Sequence, residues 1–142
     1  MITFEHWLLG VGLLTLCIFI HVFGLIVMSR LYFHEKLHFH RARSILISTI
    51  TFAMAALIAA CLHTIQAVIW ACGYLYLGAM PDFHAAISFS LGAFTTYSSS
   101  GYTIPSDFVL LSETQAMNGV MAFGLTTAFL FTLALRLHPQ RS

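Results

Sequence analysis

Long apolar runs separated by short polar segments divide the chain, and their lengths predict its helices. No Asp, Glu, Lys or Arg interrupts residues 7–28, 45–76 and 114–135, and a shorter apolar run covers 83–97. At about 1.5 Å per residue, each long run is able to cross the roughly 30 Å hydrocarbon core of a bilayer, whereas the short run is not. The pattern predicts an all-α membrane protein with three transmembrane helices and one half-length helix.

Composition supports a single membrane domain over residues 1–142. The chain is 59% hydrophobic and only 8% charged, whereas soluble domains carry roughly 25% charged residues. The first apolar run lacks a basic segment before it and is too long for a signal peptide, so none is expected. Cys17, Cys61 and Cys72 lie inside apolar runs without a CxxC spacing, which favours packing roles over a disulfide or a metal site.

The distribution of charge predicts the orientation of the chain. All six Lys and Arg residues lie in the segment 29–44 or in the C-terminal tail. By the positive-inside rule, 29–44 is a cytoplasmic basic loop in the cell inner (plasma) membrane, with the N-terminus outside and the C-terminus cytoplasmic. We interpret the charges of that loop as setting the topology of the chain. The alternative is that the loop binds anionic lipid head groups or responds to pH through its histidines.

The segment after the third apolar run has the layout of a re-entrant loop. The half-length run 83–97 is followed by a polar, turn-rich stretch over 98–107 and then by the last apolar run. Irregular backbone at membrane depth is tolerated only where protein buries it or water reaches it. We therefore predict a re-entrant pore helix over 83–97 and a filter-like loop over 98–107. The candidate ion pathway consists of small polar residues and their neighbours, namely Thr95, Thr96, Tyr97, Ser98, Ser99, Ser100 and Gly101.

Two stretches resemble the bacterial potassium-channel-like pore-domain family: residues 86–96, AISFSLGAFTT, and residues 116–128, AMNGVMAFGLTTA. The resemblance covers roughly residues 60–135 and implies a pore helix, a selectivity filter and an inner helix. Aligned without a gap, Thr96 takes the family's filter threonine position, while Ser98 and Ser100 stand where the family has glycines. A shifted register through Gly101 and Tyr102 is the alternative. Gln66 also stands where the family usually has Glu.

The serines change what such a filter is able to do. A potassium filter points successive carbonyl groups at the pore axis, which needs residues at positive φ that glycine reaches at little cost. Ser98 and Ser100 therefore argue against a strict potassium ladder and favour a wider, hydroxyl-lined pore, or a loop that bonds only to itself. Three acids are candidates for a cation-attracting outer mouth, or else are ordinary solvated side chains: Asp82, Asp107 and Glu113.

Polar and aromatic residues outside the loop give further expectations. Four residues are predicted to support the pore: His63, Gln66, Trp70 and Asn118. His63 and Gln66 would brace the outer helix against the pore helix, and Asn118 would line an inner cavity or bond to a neighbouring subunit. Trp70, Tyr74 and Tyr76 are expected at the far membrane interface. Counting along straight helices places His21 and His63 at different depths, which argues against a haem between them.

The function predicted from these features is passive cation conduction, of K⁺ or Na⁺, through a homo-oligomeric pore, with a homotetramer expected. One copy of the loop cannot surround an ion, so conduction requires self-association. The alternatives are a non-conducting structural or regulatory membrane protein and, less favoured, a small haem-binding membrane protein. Beyond the lipid bilayer and its own copies no partner is expected: no nucleic acid, no resident cofactor or metal, and no enzymatic activity.

Overall fold

The computed structural model describes residues 4–34, 45–97 and 101–137, and most of this chain is helical. Within these residues there are four α-helices: α1, Phe4–His34; α2, Ile45–Tyr76; α3, Phe83–Phe94; and α4, Val109–Leu137, which a 3-10 turn at Ser106–Phe108 precedes. Among the described residues, α1, α2 and α4 with its preceding turn are long and apolar enough to cross a membrane. This confirms the prediction of an all-α membrane protein with three candidate transmembrane helices.

The ends of the helices differ from the apolar runs for local reasons. α1 and α4 extend beyond 7–28 and 114–135, because helical hydrogen bonds continue through the polar residues that flank each run. α3 ends at Phe94 instead of continuing to residue 97, because Thr96 adopts a φ of 58° that a right-handed helix cannot contain. Most of the predicted basic loop, residues 35–44, lies outside the described residues.

The same hydrogen-bonded cap ends α2 and α3, but a different residue holds the left-handed position in each cap. After α2, Gly78 N donates to Leu75 O at 3.0 Å and Ala79 N donates to Tyr74 O at 2.9 Å. This is the Schellman pattern, and Gly78 has the positive φ of 68° that the pattern requires. Glycine carries no Cβ and adopts this conformation without a steric penalty.

After α3, the equivalent bonds run from Thr96 N to Ala93 O at 3.1 Å and from Tyr97 N to Gly92 O at 2.7 Å. Thr96 therefore holds the left-handed position that Gly78 holds after α2. A β-branched residue is an outlier in that region, and the conformation costs roughly 1–2 kcal/mol for an L-residue. α3 thus stops at a strained position.

The helices pack around a layer of buried polar residues. α2 and α4 each contact both α1 and α3. One apolar cluster lies on the side where α2 ends and α4 begins, and it comprises Cys17, Trp70, Ala71, Tyr74, Ala79, Met80, Ala85, Ala86 and Leu111. A second lies towards the other end and comprises Met28, Ala55, Leu133 and Leu137. Between these clusters along the helices lie buried His21, Gln66, Asn118 and Thr126.

The expectation that three aromatic residues of α2 mark the membrane interface is wrong for two of them. Trp70 and Tyr74 are fully buried in the first apolar cluster, and only Tyr76, at 82% exposure, is placed to face head groups. The physical reason is helical geometry: Trp70 and Tyr74 are four residues apart and share the face of α2 that packs on α3. Tyr74 contacts Phe89 of α3 edge to face, with centroids 5.2 Å apart.

The C-terminal end of α3 lies against the middle of α4. A Cβ added to Gly119 would overlap the carbonyl oxygen of Phe94, so the two backbones touch there. Gly119 lies about 15 Å along α4 from Val109, at 1.5 Å per residue. Glycine at a helix contact permits this close approach, as small residues do in membrane helix packing. α3 therefore reaches deep into the bundle although it is too short to cross it.

We predict that Gly119→Ala destabilises the fold by about 2 kcal/mol, because the added methyl group meets backbone that cannot rotate away. The measurement is the SDS-unfolding midpoint in detergent micelles, read from the fluorescence of buried Trp70. Gly124→Ala is the matched control, since no atom lies within 4 Å of a Cβ placed there. An equal shift of the midpoint in the two variants would contradict the close contact at Gly119.

Candidate functional site

Three side chains from three helices meet at one hydroxyl group in the middle of the bundle. His21 of α1 and His63 of α2 each place Nε2 beside Oγ1 of Thr126 in α4, at 3.1 and 3.0 Å. The two imidazole rings are stacked, with centroids 5.2 Å apart and planes inclined by 23°. His21 and Thr126 are buried and His63 is half-buried. One hydroxyl therefore links all three long helices.

Gln66 fixes the positions of the protons in this cluster. Its Nε2 lies 2.8 Å from Nδ1 of His21 and 3.3 Å from the carbonyl oxygen of Leu62. A carbonyl oxygen only accepts, so the group facing it is the amide NH₂, and Nδ1 of His21 accepts the second amide proton. His21 then carries its proton on Nε2 and donates to Thr126. In the arrangement that we assign, the Thr126 hydroxyl donates to Nε2 of His63, and that ring carries its own proton on Nδ1.

Asn118 extends the chain of bonds at the other end. Its Nδ2 donates to Oε1 of Gln66 at 3.4 Å, and the side chain is completely buried. Its Oδ1 has no hydrogen-bond partner among the described residues. Within the chain the amide nitrogen of Asn118 is used in this bond to Gln66, and the expected role at an inner cavity or a neighbouring subunit stays a prediction. We name the set His21, His63, Gln66, Asn118 and Thr126 the polar layer.

A second buried network ties α3 to α2 and α4. Tyr74 donates its hydroxyl proton to Oε1 of Gln115 at 2.6 Å. Nε2 of Gln115 donates to both the carbonyl and the hydroxyl oxygen of Ser90, at 3.0 and 2.6 Å. Ser90 donates to the carbonyl oxygen of Ala67 at 2.6 Å. All the amide groups of Gln115 are satisfied, which a buried amide in a membrane bundle requires.

The hydrogen bonds of His63 and Gln66 do not form the predicted brace between the outer helix and the pore helix. His63 and Gln66 bond to His21 and Thr126, on α1 and α4, instead of to α3. Against α3, His63 has a ring contact with Phe94 at 5.7 Å. Ala67 and Tyr74 follow His63 on the same side of α2, nearer its C-terminal end, and they form the contact with α3 through the Ala67 carbonyl and the Phe89 ring.

The prediction that His21 and His63 lie at different depths is also wrong. α1 begins at Phe4 and ends at His34, so His21 is close to its midpoint, as His63 is in α2. This proximity still does not fit a haem. Axial histidines bind opposite faces of a porphyrin, whereas these rings are stacked and both Nε2 atoms point to one hydroxyl. Among the described residues, no group of three or more His, Cys, Asp or Glu could hold a metal.

The predicted ion pathway is described only in part. The Thr95 hydroxyl donates to the carbonyl oxygen of Leu91 at 2.8 Å, and the Thr96 hydroxyl donates to that of Thr95 at 2.6 Å. Tyr97 is exposed, and Gly101 has a φ of 71°. Ser98, Ser99 and Ser100 lie outside the described residues, so the register of the filter-like loop stays a prediction.

An open groove of about 510 Å³ lies beside the end of α3. Its walls come from the second half of α3, the segment 102–104 and the first turns of α4, and Thr96, Tyr97 and Glu113 line it. The groove adjoins the predicted pathway, and both polar residues and apolar residues such as Phe89 and Ala116 line it.

The three acids predicted at an outer mouth have three different surroundings. Asp82 caps α3, since its Oδ1 accepts from Ala85 N at 2.8 Å. Asp107 lies beside His6 and Trp7 at the start of α1. Glu113 alone of the three lines the groove. Within one chain they do not form a cluster.

Sequence reasoning missed Thr126, Gln115 and Ser90 as partners of the buried histidine and tyrosine. The available signal was their polarity inside apolar runs, because a polar side chain in a membrane helix faces the bundle interior more often than lipid. The hydroxyl of Thr127, by contrast, bonds to its own helix at Phe123 O, 2.8 Å away. Spacing along α4 does not tell these two threonines apart.

We predict that Thr126→Val destabilises the folded chain by about 1–2 kcal/mol, because His63 loses its hydrogen-bond partner and His21 keeps only its bond to the Ala122 backbone at that side of the ring. Thr127→Val is the matched control on the same helix, since Thr127 is exposed and bonds only to its own backbone. SDS-unfolding midpoints of the two variants provide the measurement. A midpoint for Thr126→Val equal to that for Thr127→Val would rule out a structural role for the shared hydroxyl.

Comparison of the chain with protein-family models, with curated proteins and with solved structures finds no match. A functional assignment for this chain therefore rests on its own geometry.

Proposed function

We propose that the chain is the subunit of an oligomeric, passive cation channel, in which α3 is a re-entrant pore helix and residues 95–101 border the ion pathway. The observation that carries this proposal is the contact between the end of α3 and the middle of α4 at Gly119. A helix that stops inside a membrane bundle leaves its last carbonyl groups there. Such irregular backbone is tolerated where it lines a water-filled cavity.

The direction of α3 favours a cation over an anion. Its N-terminus is capped by Asp82, and its C-terminal end points into the bundle. The C-terminal end of a helix carries roughly half a negative elementary charge. Several copies of α3 arranged around an axis would direct these partial charges at one volume, which stabilises a cation there. The orientation we propose has the N-terminus outside and the C-terminus in the cytoplasm, in agreement with the Lys and Arg distribution.

The threonine at the end of α3 supports the same proposal. Thr96 is strained, and strained backbone is concentrated at functional sites. Its side chain lines the open groove instead of packing in the core. A groove open along this edge is what a subunit of a ring would present to the axis or to its neighbour. Conduction of both K⁺ and Na⁺ follows if the serines after it line the pore with hydroxyl groups.

The test of this proposal is ion flux into liposomes that contain the purified chain, with K⁺, Na⁺ and N-methyl-D-glucamine compared. We expect comparable K⁺ and Na⁺ flux and exclusion of the organic cation. Native mass spectrometry of the same sample establishes the number of copies. K⁺ flux alone would favour the shifted register through Gly101. Absence of flux from a folded oligomer would overturn the proposal in favour of a structural role.

Glu113 provides a second prediction, because it is the acid that lines the groove. Neutralisation in Glu113→Gln should lower cation flux about two- to fourfold at 10 mM salt, where the Debye length is roughly 30 Å, and little at 1 M, where it is roughly 3 Å. Glu5→Gln is the control, since it removes the same charge from the first turn of α1. Equal loss of flux at both salt concentrations would indicate a folding defect instead of an electrostatic effect.

A further inference from the structure

His63 occupies the junction between the polar layer and the inner end of α3. Its ring contacts Phe123 of α4 edge to face, with centroids 4.5 Å apart and planes at 84°. It also contacts Phe94, the last residue of α3, whose own ring lies 5.6 Å from that of Phe123. The strained Thr96 follows two residues after Phe94. The His63 ring is therefore in contact with the end of α3 both directly, at Phe94, and by way of Phe123.

The surroundings of His63 contain one other titratable group. From α1, His21 faces it ring to ring at 5.2 Å. From α3 and α4 it meets Phe94, Phe123 and Thr126, none of which titrates. Among its described contacts there is no carboxylate, lysine or arginine. A proton bound at His63 therefore has no counter-ion within these contacts.

The hydrogen-bond directions in the polar layer make His63 the site where a proton is added. With both rings neutral, Gln66 donates to His21, His21 donates to Thr126, and Thr126 donates to His63. Both nitrogens of His21 are engaged inside the buried layer, whereas Nε2 of half-buried His63 is the last acceptor. Partial burial and the facing His21 ring both disfavour a charge at this last acceptor, so a proton added to His63 destabilises the neutral arrangement of the layer.

We infer that His63 is a proton switch that couples the polar layer to the end of α3. Addition of a proton to Nε2 of His63 reverses that bond, because the nitrogen then donates to Thr126. Thr126 then receives protons from both His21 and His63, and its own hydroxyl proton turns to another acceptor. The cation draws His63 towards water or the faces of Phe94 and Phe123, and this repacks the contact between α3 and α4.

The expected effect of His63 protonation on conduction rests on the proposed function, whereas the expected rearrangement of hydrogen bonds at Thr126 does not. For this reason the test has two parts on the same wild-type preparation. Nitrogen-15 NMR of labelled histidine reports the protonation of His63, and the ¹³C-methyl signal of Thr126 reports the change in its hydrogen bonds, both between pH 8 and pH 5. Flux into liposomes is measured over the same interval.

We expect the His63 and Thr126 signals to change together, and flux to differ at least threefold between pH 8 and pH 5. In His63→Gln, whose amide keeps a bond to Thr126 but does not titrate, the flux difference should fall below 1.5-fold. His84→Gln is the control, because exposed His84 lies at the other end of α3 and pairs with Tyr102 at 3.3 Å. This variant should retain the wild-type pH dependence.

The outcomes separate the two proposals. If the His63 and Thr126 signals change together but no flux is seen at any pH, the proposal of a proton switch is upheld and the proposal of a channel is overturned. Flux in a sample whose His63 stays neutral down to pH 5, or titrates without a change at Thr126, would overturn the switch and leave the channel intact. Loss of pH dependence in His84→Gln but not in His63→Gln would also overturn the switch.

Discussion

The hydroxyl of Thr126 is the group on which the arrangement of the three long helices depends. Lipid offers no hydrogen bonds, so a polar side chain in the middle of an apolar helix is stable only if another helix satisfies it. His21 and His63 both meet this requirement at Thr126. The layer is neutral and directional, and it fixes the rotation of α1, α2 and α4 in a way that their apolar surfaces do not.

The position of α3 follows from a second constraint, the contact of two backbones. Gly119 lets the Phe94 carbonyl approach α4, and the network through Gln115 and Ser90 holds α3 above that point. The buried residues of α3, Ala85, Ala86, Ser90 and Phe94, are small or lie at helical spacing on one face. Without the Gly119 contact, the Gln115–Ser90 network and the packing on α2 would still hold α3, but its end could not approach α4 as closely.

Hydropathy alone was sufficient to predict the three long helices, because their length is set by bilayer thickness. It could not predict which way each helix is turned. Trp70 fits an interfacial belt by position but is buried, and His63 fits a hydrogen-bonded brace to α3 but bonds to Thr126 of α4. Depth counting also failed for His21, because α1 does not end where its apolar run ends. Partner choice depends on tertiary packing, which a one-dimensional pattern does not contain.

The two Schellman caps differ in backbone strain, because a glycine holds the left-handed position in one and a threonine holds it in the other. After α2, the left-handed position is filled by Gly78, which is able to adopt it freely. After α3, the same backbone geometry is imposed on Thr96, although a glycine would satisfy the same hydrogen bonds. No bond in the cap itself requires a threonine, since its hydroxyl bonds only to the preceding carbonyl. The side chain instead lines the groove at the inner end of α3. In the channel that we propose, this strained residue would border the ion pathway, where its side chain rather than its backbone geometry would matter.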